Sequence, residues 1–243
     1  MTLLLSKAQG DRYVTRDALA DVSTPCRTVT WRPVPHLSVV EAVETAAARR
    51  GFLVEDERFG LTRSGQKMFG VLTLARQGSP EWTRCIGVRN SHDQSFAAGI
   101  CCGVSVLVCS NLCFGGEHVL KRRHTAGINL DDMVTDAMAF LDGGFVSLEE
   151  RLCALHDQRI TDDQARLAVM RAAEQDVIPS CDILAVFGEY LHPRHGEFQG
   201  RDRWSLLNAF TEIAHKYPPH RNDRFQRGLT RFFDLDGSPM PLH

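Results

Sequence analysis

Apolar and polar positions change period twice along the chain, and the changes divide it into parts. The first 25 residues hold no sustained period and predict a loosely attached N-terminal arm. Residues 26–31 alternate and carry β-branched side chains, which predicts a short strand. A helical period follows. Ser38 and Glu41 have capping-box spacing, and Val39, Val40, Val43, Ala46 and Ala47 share one face. Gly51 then Phe52 fit a Schellman stop. From 52 to 112 the period is two, predicting strands over 52–59, 67–76, 83–89 and 98–109. Ser64-Gly65 and Gly78-Ser79-Pro80 supply turns, and such short connections imply an antiparallel meander. The last strand is the most apolar, with Ile100, Cys102, Val104, Val106 and Val108 on one side, and is expected at the centre.

Beyond Gly115-Gly116 the pattern is helical. One helix starts at Asn129, carries Leu130, Met133, Val134, Ala137, Met138 and Leu141 as its stripe, and is expected to end at Gly143-Gly144. Ser147 with Glu150, and Thr161 with Gln164, read as capping boxes of two more. A further amphipathic run over 202–216 carries Trp204, Leu207, Phe210, Ile213 and Ala214 and stops at Pro218-Pro219. The expected fold class is α+β: an antiparallel β-meander packed against an N-terminal helix, followed by a largely helical C-terminal half. The expected division is an arm over 1–25, one domain over 26–216 (sheet part about 26–116, helical part about 117–216), and a basic tail over 217–243.

Composition places these elements in an ordinary globular protein: 243 residues, 43% hydrophobic and 24% charged. No run approaches the roughly 20 apolar residues that span a bilayer. The start, residues 1–7, lacks the basic and longer apolar regions of an export signal, so a cytoplasmic protein without membrane partners is expected. The eight cysteines show no C-x2-C pair; Cys101, Cys102 and Cys109 fall in an apolar strand, where thiols act as small hydrophobes. Charge is unevenly distributed. Residues 1–140 carry 16 basic and 14 acidic side chains, residues 141–190 carry 4 and 10, and residues 191–231 carry 8 and 4. The net charge of −2 therefore leaves room for a local basic surface.

Phosphate-binding loops, dinucleotide glycine motifs, nucleophile elbows and H-E-x-x-H are all missing, which weakens the case for common enzymes. Three polar features remain. Residues 89–95, Arg-Asn-Ser-His-Asp-Gln-Ser, form either a long hairpin connection or a site in which His92 and Asp93 handle protons or metal and Arg89 contacts an anion. Cys109-Ser110-Asn111 and Lys121-Arg122-Arg123-His124-Thr125 offer either a solvated loop or phosphate contacts. These two clusters flank opposite ends of the strand over 98–109, so the sheet face between them is a candidate surface. Trp204, Leu207 and Phe210 keep core spacing, while Asn208 and Glu212 share a face that can close over the sheet.

Four blocks in order carry a resemblance. They are the strand–helix from Val34-Pro35 to Gly51-Phe52; Asn90-Ser91-His92-Asp93-x-Ser95 with the following strand, Cys109-Ser110-Asn111 and Gly115; Arg122-Arg123-His124-Thr125; and Trp204 to Glu212, including Asn208. Over about residues 28–216 the chain resembles an uncharacterised phage- and plasmid-borne family, domain of unknown function 932. Cys113-Phe114 depart from its pattern. The resemblance implies a mobile-element protein of the bacterial cytoplasm and supplies no catalytic residue.

Three functions follow as expectations. The first is non-enzymatic binding of single-stranded nucleic acid, DNA or RNA, in replication or recombination; the helix–meander–helix order is similar to that of single-strand annealing recombinases. Its contacts are expected from Arg89, Lys121, Arg122, Arg123, His124, Arg201, Arg203, Arg221 and Arg224, joined by Arg227 and Arg231, with stacking from Phe225, Phe232 and Phe233. The second is a metal-assisted phosphodiesterase using His92, Asp93 and His124; otherwise no cofactor is indicated. The third is a protein that binds a host factor through the acidic 141–190 segment.

Overall fold

The computed structural model describes residues 12–75, 81–107, 112–114, 130–217 and 219–235. The meander is present and larger than the pattern predicts. Strands β1 (Arg12–Val14), β2 (Val54–Leu61), β3 (Lys67–Leu74), β4 (Trp82–Ser91), β5 (Gly99–Val106) and β6 (Leu112–Phe114) lie in that order, each antiparallel to its neighbour. The centre falls at β3 and β4 instead of the most apolar strand, because β6 adds only a short edge beyond β5.

Sequence reading misses the N-terminal part. Residues 12–20 form β1 and a short helix α1 (Arg16–Ala20) rather than a loose arm. Leu19 is buried, and Arg16 Nη2 donates to Glu44 Oε2 at 2.8 Å, so tertiary contacts hold a segment too short to show a period. Residues 26–31 do not form the expected strand; a turn joins Thr28 N–H to Trp31 O at 2.8 Å.

Helix α2 (His36–Arg49) buries Val39, Val40, Val43 and Ala47 against the sheet. Its N-cap is Pro35, with no side-chain cap, so Ser38 and Glu41 lie inside the helix instead of starting it. Its end follows the predicted Schellman pattern: Phe52 N–H bonds Ala47 O and Gly51 N–H bonds Ala48 O, both at 3.0 Å, with Gly51 at φ +80°.

Helix α3 (Leu130–Asp157) runs unbroken through Gly143-Gly144. Two glycines cost a helix about 1 kcal/mol each. Here Leu141 and Phe145 before and after them are fully buried, and packing on both sides outweighs local propensity. Ser147 and Glu150 are consequently mid-helix. The Thr161 capping box of α4 (Asp162–Glu174) forms as expected, with Gln164 N–H to Thr161 Oγ1 at 3.2 Å. Helices α5 (Ile183–Leu191), α6 (Arg203–Ala214) and α7 (Pro219–Phe232) complete the described residues.

Two apolar clusters result. One joins α1, α2, the first half of α3 and one sheet face; the other joins the second half of α3, α4 to α7 and the β5–β6 end. Phe225, Leu229, Phe232, Phe233 and Leu235 belong to the second, so residues 219–235 are an integral helix and turn rather than a tail.

Candidate nucleic-acid interface

The 89–95 segment shows how a sequence rich in polar groups can be an internal fastener. β4 carries Asn90 and Ser91 into the interior at the end of the sheet, where Asn90, Ser91 and His92 are all but fully buried. Asn90 Nδ2 donates to Val34 O at 2.8 Å and to His36 Nδ1 at 2.9 Å. The His92 ring stacks on His36, centroids 3.9 Å apart and 5° from parallel, and His92 Nε2 donates to Val34 O at 2.9 Å. His36 Nε2 in turn bonds Gly65 O at 3.0 Å. Three segments distant in sequence are thereby joined: the entry to α2, the β2–β3 turn and the end of β4. Ser91 Oγ donates to Phe96 O at 2.6 Å and closes the loop locally. Burial depresses the His92 pKa, partly offset by the Val34 carbonyl and by Asp93.

Asp93 does not share this environment. Its Oδ1 accepts from Ser95 N–H at 3.0 Å, and its Oδ2 lies 3.4 Å from Lys67 Nζ on the half-exposed rim. Those contacts, with Lys67 and Ser95 favouring the charged form, hold its pKa below the usual value despite the opposing effect of burial. The expected His92–Asp93 metal pair is therefore divided between an interior fastener and a turn. Among the described residues, no group of three or more His, Cys, Asp or Glu side chains is placed to hold a metal. His36, the partner that completes the network, carries no signal in sequence. It follows a proline at a helix start and looks like any surface histidine.

Cys109, Ser110, Asn111, Lys121, Arg122, Arg123, His124 and Thr125 lie outside the described residues. Trp204 is buried against Trp82, centroids 5.5 Å apart. Asn208 Nδ2 donates to Trp204 O of its own helix, and Glu212 Oε1 accepts from Arg194 Nη1 at 2.7 Å instead of closing over the sheet. On the sheet face away from α2 and α3, the Phe114 ring lies over Gly103 and Gly87. A Cβ at Gly103 would meet Phe114 Cδ1 at 2.4 Å, so glycine here permits close approach.

The expected basic contacts separate into two kinds. Arg89 packs over Phe96 at 5.2 Å. Arg201 donates to the Tyr190 and Leu191 carbonyls at 2.7 and 3.1 Å, and Arg203 donates to Gln158 Oε1 at 2.8 Å while lying over Phe233. Burial lowers the Arg203 pKa, a mark of an internal clamp. Arg221 and Arg224 behave differently. With Arg227 and Arg231 they are exposed on α7, while Phe225, Gln226, Leu229, Thr230 and Phe232 are buried. At 100° per residue the four arginines occupy one third of the helix circumference. Arg221 lies 4.6 Å from the Tyr217 ring, and Arg224 approaches Asp176 only to 4.0 Å with both side chains largely exposed. The expected stacking residues Phe225, Phe232 and Phe233 are core residues instead; Phe225 and Phe232 belong to the buried face that makes this helix amphipathic, and Phe233 follows it.

A family model described as Domain of unknown function (DUF932) matches residues 26–233. No curated protein and no solved structure matches the chain.

Proposed function

The chain belongs to the DUF932 family, and from that premise we propose that it is a mobile-element protein that binds single-stranded nucleic acid without catalysing a reaction. The observation that carries this reading is the arginine stripe of α7. Arg221, Arg224, Arg227 and Arg231 extend along about 15 Å of helix, at 1.5 Å rise per residue. A row of exposed guanidinium groups suits a phosphate backbone, which takes charge-assisted, often bidentate hydrogen bonds. The aromatic residues of α7 are buried beneath it, so affinity comes from phosphate contacts and counterion release rather than from base stacking. Binding is accordingly insensitive to sequence. The metal-dependent alternative draws on His92, whose Nε2 is committed to Val34 O. The host-factor alternative draws on acids several of which are paired within the fold: Glu149 with Arg84, Glu189 with Arg194 and Asp182 with Lys216.

Fluorescence anisotropy with a labelled oligothymidine at low salt tests the proposal. Wild-type protein is expected to bind, and the double variant Arg224→Glu, Arg227→Glu is expected to bind at least about tenfold more weakly with an unchanged circular dichroism spectrum. Absence of binding by the wild type at low salt sinks the reading.

A further inference from the structure

Helix α4 turns Ala165, Val169 and Ala172 into the core, and its outer side keeps Leu167 and Met170 exposed, at 51% and 42%. On α5, Leu184 is 84% exposed, the largest value among the exposed apolar residues of the C-terminal half. The two helices run antiparallel: Tyr190 Oη reaches Ile160 O at 3.5 Å, and Arg166 lies over the Phe187 ring at 4.9 Å. Leu184, one turn before Phe187, therefore falls beside Met170, one turn past Arg166. The result is an apolar patch of Leu167, Met170, Leu184 and the half-buried Phe187. Single exposed apolar residues are ordinary, but a contiguous group on two packed helices marks an interaction surface.

The charges around the patch indicate what covers it. Along the outer side of α4, Asp163 stands four residues before Leu167 and Arg171 four residues after it. The arrangement is its own complement. When a second α4 crosses antiparallel about a two-fold axis at Leu167, each Asp163 faces the other copy's Arg171, and the leucines meet at the centre. An isologous interface requires one patch to complement itself in this way. Asp163 also pairs with Arg166 at 2.8 Å, with side chains 88% and 59% exposed, and solvation leaves it free to exchange that partner.

We infer that the α4–α5 face is the dimer interface of this protein and that a second copy of the chain occupies it. The partner contributes the same leucines and the opposite end of the same helix. The surface shares no residue with the arginine stripe of α7, so separate variants test dimerisation and nucleic-acid binding.

Sedimentation velocity over a range of protein concentrations tests the inference. The wild type is expected to dimerise, and Leu167→Glu is expected to be monomeric with an unchanged circular dichroism spectrum, because the residue is exposed. A charge cycle adds a readout that general damage cannot imitate. Asp163→Arg and Arg171→Asp are each expected to weaken the dimer about tenfold or more, since the two-fold repeats every lost pair twice. The double variant restores it by recreating both pairs, although both changes oppose the helix dipole of the monomer. A wild type that stays monomeric at the highest concentration overturns the inference. So does a dimer that Leu167→Glu leaves intact, or a double variant no tighter than the single ones.

Discussion

The 89–95 segment and helix α7 are both dense in polar side chains, and the fold uses them in opposite ways. In the first, Asn90 and His92 are drawn inside and spend their hydrogen bonds on Val34 and His36. In the second, four arginines stay in solvent while the apolar half of the same helix is buried. The difference lies in the surrounding pattern. β4 continues at the end of a sheet covered by α2, so the residues that follow its apolar run remain at interior depth. α7 repeats its apolar residues at helical spacing, and Arg221, Arg224, Arg227 and Arg231, off that stripe, face water. Polar density in sequence does not distinguish a buried fastener from a solvent-exposed face. Periodicity around it does.

Removing the fastener costs the fold most. Asn90→Ala removes the buried donor to His36 Nδ1, while Val34 O keeps His92 Nε2, and a buried group that loses its hydrogen bond costs about 1–3 kcal/mol. A loss of that size in urea unfolding is expected, with nucleic-acid affinity retained wherever the variant is folded. Stability unchanged within about 0.5 kcal/mol contradicts an architectural role, since surface substitutions lie in that range.

Next in size is the reciprocal experiment on α7. Arg224→Glu with Arg227→Glu is expected to leave the urea midpoint close to that of the wild type while affinity for oligothymidine falls. A large drop in midpoint instead makes these arginines part of the fold and removes the contrast.

Acidity gives a smaller effect of definite sign. Burial holds the His92 pKa below its ordinary 6.5, so on acidification the unfolded chain takes up the proton first. Stability from this residue is complete above pH 6.5 and is lost as pH falls from there through the folded-state pKa. His215, also depressed by burial, adds a slope of the same sign. The diagnostic is therefore the difference between wild type and His92→Gln: the variant's stability is expected to change less between pH 7 and 5. Equal slopes would falsify the assignment to His92.

The smallest effect separates the two halves of the motif itself. Asp93→Asn on the half-exposed rim is expected to change stability by about 0.5 kcal/mol or less, as a screened ion pair does. A cost rivalling that of Asn90→Ala would place Asp93 inside the same network.

Much of the fold was legible because its signals were local. Alternation located β2 to β5, Gly51-Phe52 located the end of α2, and Thr161 with Gln164 located the start of α4. What escaped depended on contacts distant in sequence. β1 and α1 are too short to show a period and are held by Leu19 and Arg16. The glycine pair read as a stop lies within α3, because Leu141 and Phe145 anchor both sides of it. At the candidate site, Arg201 and Arg203 looked no different from Arg221 and Arg224 in sequence. Only the carbonyls of Tyr190 and Leu191 and the amide of Gln158 separate the two pairs.

The salt dependence of binding reads the phosphate contacts of α7 one by one. For single strands, log K against log salt has a slope of about −0.7 per phosphate contact. Replacing Arg221, Arg224, Arg227 and Arg231 by alanine is expected to lessen the slope by close to 0.7 for each arginine that contacts a phosphate. Asn90→Ala, measured where it is folded, is expected to leave the slope unchanged. A slope that the four alanines do not alter would contradict the account and move the interface away from α7.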